Sequence, residues 1–339
     1  MIKHLAIYIF FIPSISFSQE YLTKNTIVRV QAIISNTVFQ RYSEALAICD
    51  TLEKENPQNP VGYFFHAATL QSRMLDYENY AAIDTFFKYT EKAINQSKKD
   101  IKKHPKSSWP YFFLGGAIGY EAMVRGKNNE LFHAFRDGWK SINALQTALE
   151  LDSTNYDIYL GIGTYKYYRS KLSKFLKWLP FVNDERELGK EMIQLAIENG
   201  NFTRPAALNG LFWILVKEEN FAEAESLINM AVAEHPGSRF FLWGKAKLNL
   251  KQKKWREALQ SYNEILATYD RENIKTPFNR MQCYTYLAEI KFNLGNLDEA
   301  IRYATQALQI EIDPYLKKRA KEIRHQARDI LKKAEKQSS

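Results

Sequence analysis

The sequence predicts an all-α protein made of repeated helical hairpins, and three observations support this. Gly (14) and Pro (10) are scarce in the 339 residues, which disfavours turn-rich β architectures. A five-residue sequence motif ending in Glu-Ala recurs along the chain, followed each time by apolar residues at helical spacing. Upstream of each copy of this motif lies another apolar segment with a small residue near its middle. We therefore expect pairs of antiparallel helices stacked in one array.

The first 18 residues have the three parts of a secretory signal peptide. Lys3 gives a positive start, Leu5–Ile12 is an uninterrupted apolar run, and Ser16-Phe17-Ser18 offers small residues for cleavage. The apolar run is shorter than the roughly 20 residues that span a bilayer, although an uncleaved anchor is an alternative. We expect cleavage near Ser18 and a mature protein that is periplasmic or secreted.

A small residue recurs in the first helix of the predicted hairpins, four residues after a Tyr. The positions are Ala67, Gly115, Gly163 and Ala288. Small side chains allow two helix axes to approach within about 8–10 Å. A phosphate-binding loop would need these glycines to follow a strand, and here they lie inside predicted helices, which favours a packing role.

The recurring motif that ends in Glu-Ala marks the start of the second helix of the hairpins. Its copies begin at Arg41, Asn220, Lys254 and Asn296. In three of these units a Pro follows the apolar positions, where it would end the helix.

These features together resemble the pattern of the tetratricopeptide repeat (TPR) family. That pattern has an aromatic residue, a large–small pair, a small residue opening the second helix, another seven positions later, and a closing Pro. Residues 148–163 (ALELDSTNYDIYLGIG) are similar to a family repeat junction. The resemblance covers about residues 26–314 and implies a right-handed superhelix of about seven helix-turn-helix repeats.

The junctions place repeat starts near seven positions: Thr26, Pro60, Ser108, Tyr156, Pro205, Arg239 and Met281. Three central units carry about 14 extra residues, which either lengthen their helices or form loops. Lengthened central repeats loosely resemble those of exported bacterial TPR proteins. We take residues 19–314 as the repeat domain.

Residues 315–339 are predicted to form a basic amphipathic capping helix and tail. They hold nine Lys or Arg and three Asp or Glu, so most of the net charge of +9 lies there. The repeat body therefore lacks the basic face of a nucleic-acid-binding protein. The cap closes the array with a polar outer face; docking on anionic lipid or an acidic partner is the alternative.

The family resemblance also implies a binding groove, because the first helix of each TPR lines the concave side. Mapping those positions gives aromatic residues with a few Lys and one Asn: Trp109, Phe112, Tyr120, Leu160, Thr164, Tyr167, Tyr168, Asn209, Trp213, Lys217, Phe240, Trp243, Lys247 and Lys251. Aromatic surface with a few polar anchors is typical of peptide and ligand sites. The alternative is that these aromatics pack between repeats.

Residues 170–184 (SKLSKFLKWLPFVND) form a second unusual segment. Its apolar positions are Leu172, Phe175, Leu176, Trp178 and Phe181, with Lys residues mostly elsewhere. A basic amphipathic helix of this kind docks on a membrane surface or a partner. Burial of the segment against a neighbouring repeat is the interpretation we favour.

Motifs of catalysis and metal binding are missing from the sequence. There is no Gly-x-Ser-x-Gly and no His-Glu-x-x-His, and Cys49 and Cys283 lie about five repeats apart. Glu130-x-x-His133 and Glu322-x-x-His325 have the spacing found in di-iron bundles but are far apart along the array. We expect no enzyme activity, metal or cofactor.

The leading hypothesis is a non-catalytic scaffold of the cell envelope that binds a protein or peptide partner in the aromatic groove. The alternative is a small-molecule or lipid-binding accessory protein of an envelope transport system. That alternative predicts a closed apolar pocket among the long central repeats.

Overall fold

The computed structural model describes residues 21–127, 130–173 and 183–338, and within them it contains fifteen α-helices and no strand. The helices are α1 (Lys24–Val38), α2 (Tyr42–Glu55), α3 (Pro60–Tyr77), α4 (Ile83–Lys103), α5 (Ser108–Lys127), α6 (Leu131–Leu151), α7 (Asp157–Ser173), α8 (Arg186–Asn199), α9 (Arg204–Lys217), α10 (Phe221–Glu234), α11 (Arg239–Lys251), α12 (Trp255–Glu272), α13 (Pro277–Asn293), α14 (Leu297–Gln309) and α15 (Lys317–Ser338). The first fourteen form seven hairpins, and α15 follows them. The predicted all-α TPR-like superhelix with a capping helix is confirmed.

The first helices begin close to the predicted repeat starts. Three of them, α3, α5 and α11, begin at the predicted residue, and α13 begins at Pro277 rather than Met281. Helices α4, α5 and α6 have 20 or 21 residues, whereas α9 and α10 have 14. Helices of the second and third hairpins are thus longer than those of the fifth.

Two glycines allow α7 and α8 to approach closely. A Cβ added at Gly163 would lie 2.5 Å from the carbonyl oxygen of Gly189, and one added at Gly189 would lie 2.7 Å from that of Gly163. Neither distance is possible for a real Cβ, so each helix needs Gly at the crossing. The helical location of Gly115 and Gly163 confirms the packing interpretation of these residues.

Helix α15 packs its apolar face against α13 and α14. Leu316, in a 3-10 turn before the helix, is buried together with Ala320, Ala327, Ile330 and Ala334. Within the described residues, no helix has the length and mean hydropathy needed to cross a membrane.

The N-terminal hairpins also touch the C-terminal ones, so the array is closed upon itself. At the centre lies Arg239, the first residue of α11, whose side chain is fully buried. Its Nε and Nη2 donate to the two carboxylate oxygens of Asp76, at 3.0 and 2.8 Å. Its Nη1 and Nη2 also donate to Glu272 at the end of α12. Since Asp76 belongs to α3, this ion pair joins residues 163 positions apart.

Other polar contacts extend the same closing interface. Asn279 donates from Nδ2 to the backbone carbonyl of Asp76 at 2.7 Å and to the Tyr269 hydroxyl at 2.9 Å. Arg319 of α15 forms two hydrogen bonds to the Glu78 carboxylate, at 2.6 and 2.7 Å. Together with the Arg239 ion pair, these bonds hold the end of α3 against α11, α13 and α15.

Candidate functional site

Two of the predicted groove residues belong to the hydrophobic core. Phe112 is 5% exposed and Tyr167 is 1% exposed. Phe112 packs edge-on against Trp109, and burial together with Glu218 raises the pKa of Tyr167. Since a partner cannot reach either side chain, the prediction that they line a binding surface is corrected by their burial.

Trp109 and Tyr120 are half-buried and pack against neighbouring repeats. Trp109 stacks on Phe113 at a centroid distance of 6.0 Å and contacts Phe202 at 5.6 Å. Tyr120 stacks on Phe64 at 5.3 Å, and burial raises the pKa of Tyr120 to about 12. Tyr120 therefore packs α5 against α3, and Trp109 packs α5 against the loop before α9.

The fourth and fifth hairpins present a more open set of residues. Asn209, Trp213 and Lys217 lie four residues apart on α9, and this spacing places them on one face of the helix. Lys217 donates from Nζ to the hydroxyl of Tyr168 on α7 at 3.0 Å, and it lies 4.9 Å from that ring's centroid. The Oδ1 atom of Asn209 is buried and has no hydrogen-bond partner within the described residues.

The sixth hairpin continues this arrangement on α11. Trp243 is half-buried and donates from Nε1 to the Tyr269 hydroxyl at 3.3 Å. Lys247 lies 4.2 Å from the ring centroid of Tyr286 on α13. A lysine held over an aromatic ring thus occurs on both α9 and α11. We call the set Tyr168, Asn209, Trp213, Lys217, Trp243 and Lys247 the Trp–Lys face.

The predicted docking segment lies almost wholly outside the described residues. Phe175, Leu176, Trp178 and Phe181 fall between residues 173 and 183, and the side chain of Leu172 is likewise not among those described. Docking by this segment stays a prediction.

Two clefts lie elsewhere on the molecule. A polar cleft of about 260 Å³ between α10, α11 and α12 is lined by charged residues, among them Lys245, Glu257 and Glu264. An apolar cleft of about 100 Å³ lies between α3 and α5, beside Met74 and Met123. Ligand pockets usually measure about 300–1,000 Å³, so neither matches the closed apolar pocket that a small-molecule carrier needs.

A cluster that the sequence analysis missed lies between α2 and α3. Glu53 Oε1 is 2.9 Å from His66 Nδ1, and Asp50 Oδ1 is 3.7 Å from the same nitrogen. The Asp-x-x-Glu spacing on α2 was a visible signal, since it places both carboxylates on one helical face. The imidazole of the cluster belongs to His66 on α3 of the next hairpin, at a position that the repeat pattern assigns to packing.

Comparison with known proteins supports the fold. A family model described as tetratricopeptide repeat matches residues 209–273, which span α9 to α12. Among curated proteins, none is similar in sequence to this chain.

Similar chains are also found among solved structures. The chain resembles a protein of the APC/C hetero-tetramer Cut9–Hcn1, with a TM-score of 0.55, 13% identity, and coverage of 94% of this chain and 57% of that one. The C-terminal part of a TPR repeat-containing protein from Cytophaga hutchinsonii is 17% identical, with a TM-score of 0.43 and coverage of 90% and 99%. YrrB, described as a TPR protein with an unusual peptide-binding site, is 19% identical, with a TM-score of 0.42 and coverage of 67% and 97%.

Proposed function

We propose that this chain is a non-catalytic scaffold of the bacterial cell envelope that binds a protein or extended peptide on the Trp–Lys face. The observation that carries the proposal is the pair of half-buried Trp side chains, Trp213 on α9 and Trp243 on α11, each with a Lys on the same helix held over an aromatic ring.

The neighbouring side chains suit such a segment. Trp213 and Trp243 are half-buried, so each is held in place by the fold while part of its surface stays accessible. Trp residues of this kind are frequent energetic anchors of interfaces. Lys217 and Lys247 have three N–H donors each and lie over aromatic rings, leaving donors for carbonyl or carboxylate groups of the partner. The face therefore favours a segment with apolar side chains beside acidic or carbonyl groups.

Site-specific photocrosslinking in cells tests this assignment. A photoreactive phenylalanine analogue at Trp213 or Trp243 should capture the same polypeptide from both positions. The matched control is Trp139 on α6, which is 54% exposed and lies outside the face. A polypeptide that crosslinks from Trp139 but from neither face position would reject the assignment.

The double substitution Trp213→Ala and Trp243→Ala should then weaken binding of the captured partner at least tenfold, because two anchors are lost. Trp139→Ala should leave binding unchanged. Far-UV circular dichroism of each variant verifies that the array stays folded. A folded double variant that binds normally would place the partner elsewhere.

Export is tested separately. N-terminal sequencing of the protein recovered from its own cells should begin at Gln19, the residue after the predicted cleavage site. An intact N-terminus in a cytoplasmic fraction would contradict the envelope location but would not contradict binding on the Trp–Lys face.

A further inference from the structure

The cluster of Asp50, Glu53 and His66 has the donor arrangement of a metal site. Its three candidate donor atoms all lie within 4.8 Å of one another. In a tetrahedral zinc site, bonds of about 2.0–2.2 Å separate ligand atoms by roughly 3.3–3.5 Å. The distances from His66 Nδ1 to the two carboxylates, 2.9 and 3.7 Å, fall on either side of that value.

The fold holds the imidazole in place without help from a metal. His66 is 6% exposed, and its ring stacks on Tyr89 with a centroid distance of 3.5 Å and an interplanar angle of 14°. Helix α3 also comes very close to α2 here, since a Cβ added at Gly62 would lie 2.8 Å from Glu53 Cγ. The His and Glu donors are therefore arranged in advance, as metal sites require.

Charge gives an independent argument. The Glu53 side chain is only 11% exposed, and within the described ranges neither carboxylate has a Lys or Arg nitrogen within 4.0 Å. Lys92, the nearby cation, lies over the rings of Tyr63 and Tyr89 at 5.1 and 4.8 Å. The Glu53 carboxylate is therefore mostly buried with no basic side chain beside it, and burial of unpaired charge is costly. A single divalent cation would balance the charges of both carboxylates.

We propose that Asp50, Glu53 and His66 bind one divalent transition-metal ion, with Zn²⁺ the best match. A nitrogen donor beside two carboxylates suits zinc, whereas Mg²⁺ and Ca²⁺ prefer oxygen donors alone. The Asp50 side chain is 53% exposed, so the ion can enter from solvent and keep a water as its fourth ligand. The ion would join α2 of the first hairpin to α3 of the second and stabilise the start of the array.

Isothermal titration calorimetry of the mature chain, stripped of metal with EDTA, tests the site directly. Titration with ZnCl2 should give one tight equivalent per chain, while MgCl2 under the same conditions should give none. Zn²⁺ should also raise the thermal midpoint, since a ligand that binds only the folded state stabilises it. Asp50→Asn, Glu53→Gln and His66→Gln should each lower zinc affinity by at least about tenfold, since even the loss of an outer-shell partner of a metal ligand typically costs about 10–100-fold.

The matched control is His325→Gln on α15. His325 Nδ1 lies 3.1 Å from Asp329 in an exposed pair, so it resembles the cluster but has no third donor beside it among the residues that the structure describes. This variant should bind Zn²⁺ like the wild type. Asp50→Asn alters a half-exposed helical position and should stay folded even if changes at the buried residues do not.

Three results would overturn the proposal. They are a wild-type chain that binds no stoichiometric zinc, an Asp50→Asn variant that is folded and binds zinc normally, or a loss of zinc binding confined to His325→Gln. Any of them would leave the cluster as a hydrogen bond between α2 and α3.

Discussion

Replacing Arg239 by Met should be among the most damaging single changes in the protein. The guanidinium is fully buried and donates two hydrogen bonds to Asp76, whose side chain is 9% exposed. It is also 4.5 Å from the centroid of the Tyr269 ring. Met keeps the apolar stem of the side chain and removes only its charged head.

The size of the effect follows from the burial of the partner. Removing one member of a buried ion pair typically costs about 3–5 kcal/mol, because the other charge is left without compensation. Two hydrogen bonds to a charged group, at about 1.5–3 kcal/mol each, give a similar range of about 3–6 kcal/mol. Glu272 adds little, because it is 30% exposed and can return to water. We therefore expect a loss of about 3–5 kcal/mol in the free energy of unfolding.

Urea unfolding at neutral pH, monitored by far-UV circular dichroism, measures this loss. Arg280→Met is the matched control, since Arg280 donates to Asp270 at 2.6 Å but Asp270 is 63% exposed. Exposed pairs contribute about 0.2–1 kcal/mol, so the control should lose no more than that. If Arg239→Met is no less stable than the control, the ion pair does not stabilise the closed array.

Combining Arg239→Met with Asp76→Asn tests the mechanism of the loss. The second change removes the uncompensated charge, so the double variant should be less destabilised than the sum of the single changes. A coupling energy of about 0.5–3 kcal/mol is expected for directly contacting groups. Small-angle X-ray scattering should show a larger radius of gyration for Arg239→Met, because the N-terminal hairpins would separate from α11 and α13. An unchanged radius would show that other contacts suffice to close the array.

Two further predictions concern packing and pH. Gly163→Ala should destabilise the fold by about 1–3 kcal/mol, because the new methyl group would clash with the α8 backbone. The control Gly138→Ala, with nothing within 4 Å of the added Cβ, should leave stability unchanged or raise it by up to about 1 kcal/mol. Urea unfolding midpoints compare the two variants, and equal effects would contradict the close crossing of α7 and α8. Burial acts to raise the pKa of Glu78, but Arg319 and Lys127 outweigh it and lower that pKa below the usual value of 4.5. The stabilisation from Glu78 is then present above the unfolded-state pKa and is lost as pH falls through the lower folded-state pKa. The stability advantage of the wild type over Glu78→Gln should shrink between about pH 5 and pH 3, and an advantage that stays constant with pH would refute this.

Several elements follow from local sequence alone. Repeat starts were predicted near Pro60, Ser108 and Arg239, and α3, α5 and α11 begin at these residues, because helix-ending and turn-forming residues at the repeat junctions are local signals. The small residues at Gly115 and Gly163 were also assigned correctly, since a glycine inside a helix is unfavourable without a packing reason.

The candidate sites were predicted less completely. Spacing correctly places Asn209, Trp213 and Lys217 on one helical face, but it could not show that Phe112 and Tyr167 are buried. Their exposure depends on which neighbouring helix covers them, and that is a property of the assembled array. His66 was missed as a candidate ligand because its carboxylate partners belong to a different hairpin.

The sequence by itself therefore determined the helical hairpins, their number and the capping helix, since these depend on periodicity and on contacts between neighbours in the chain. Only the tertiary structure decided that the array closes, with Asp76 meeting Arg239 and Glu78 meeting Arg319 across 163 and 241 positions. Such pairs produce no periodic pattern in the sequence, because each is a single contact whose position depends on the cumulative twist of several hairpins. The same twist decides which aromatic residues are buried and which remain accessible to a partner.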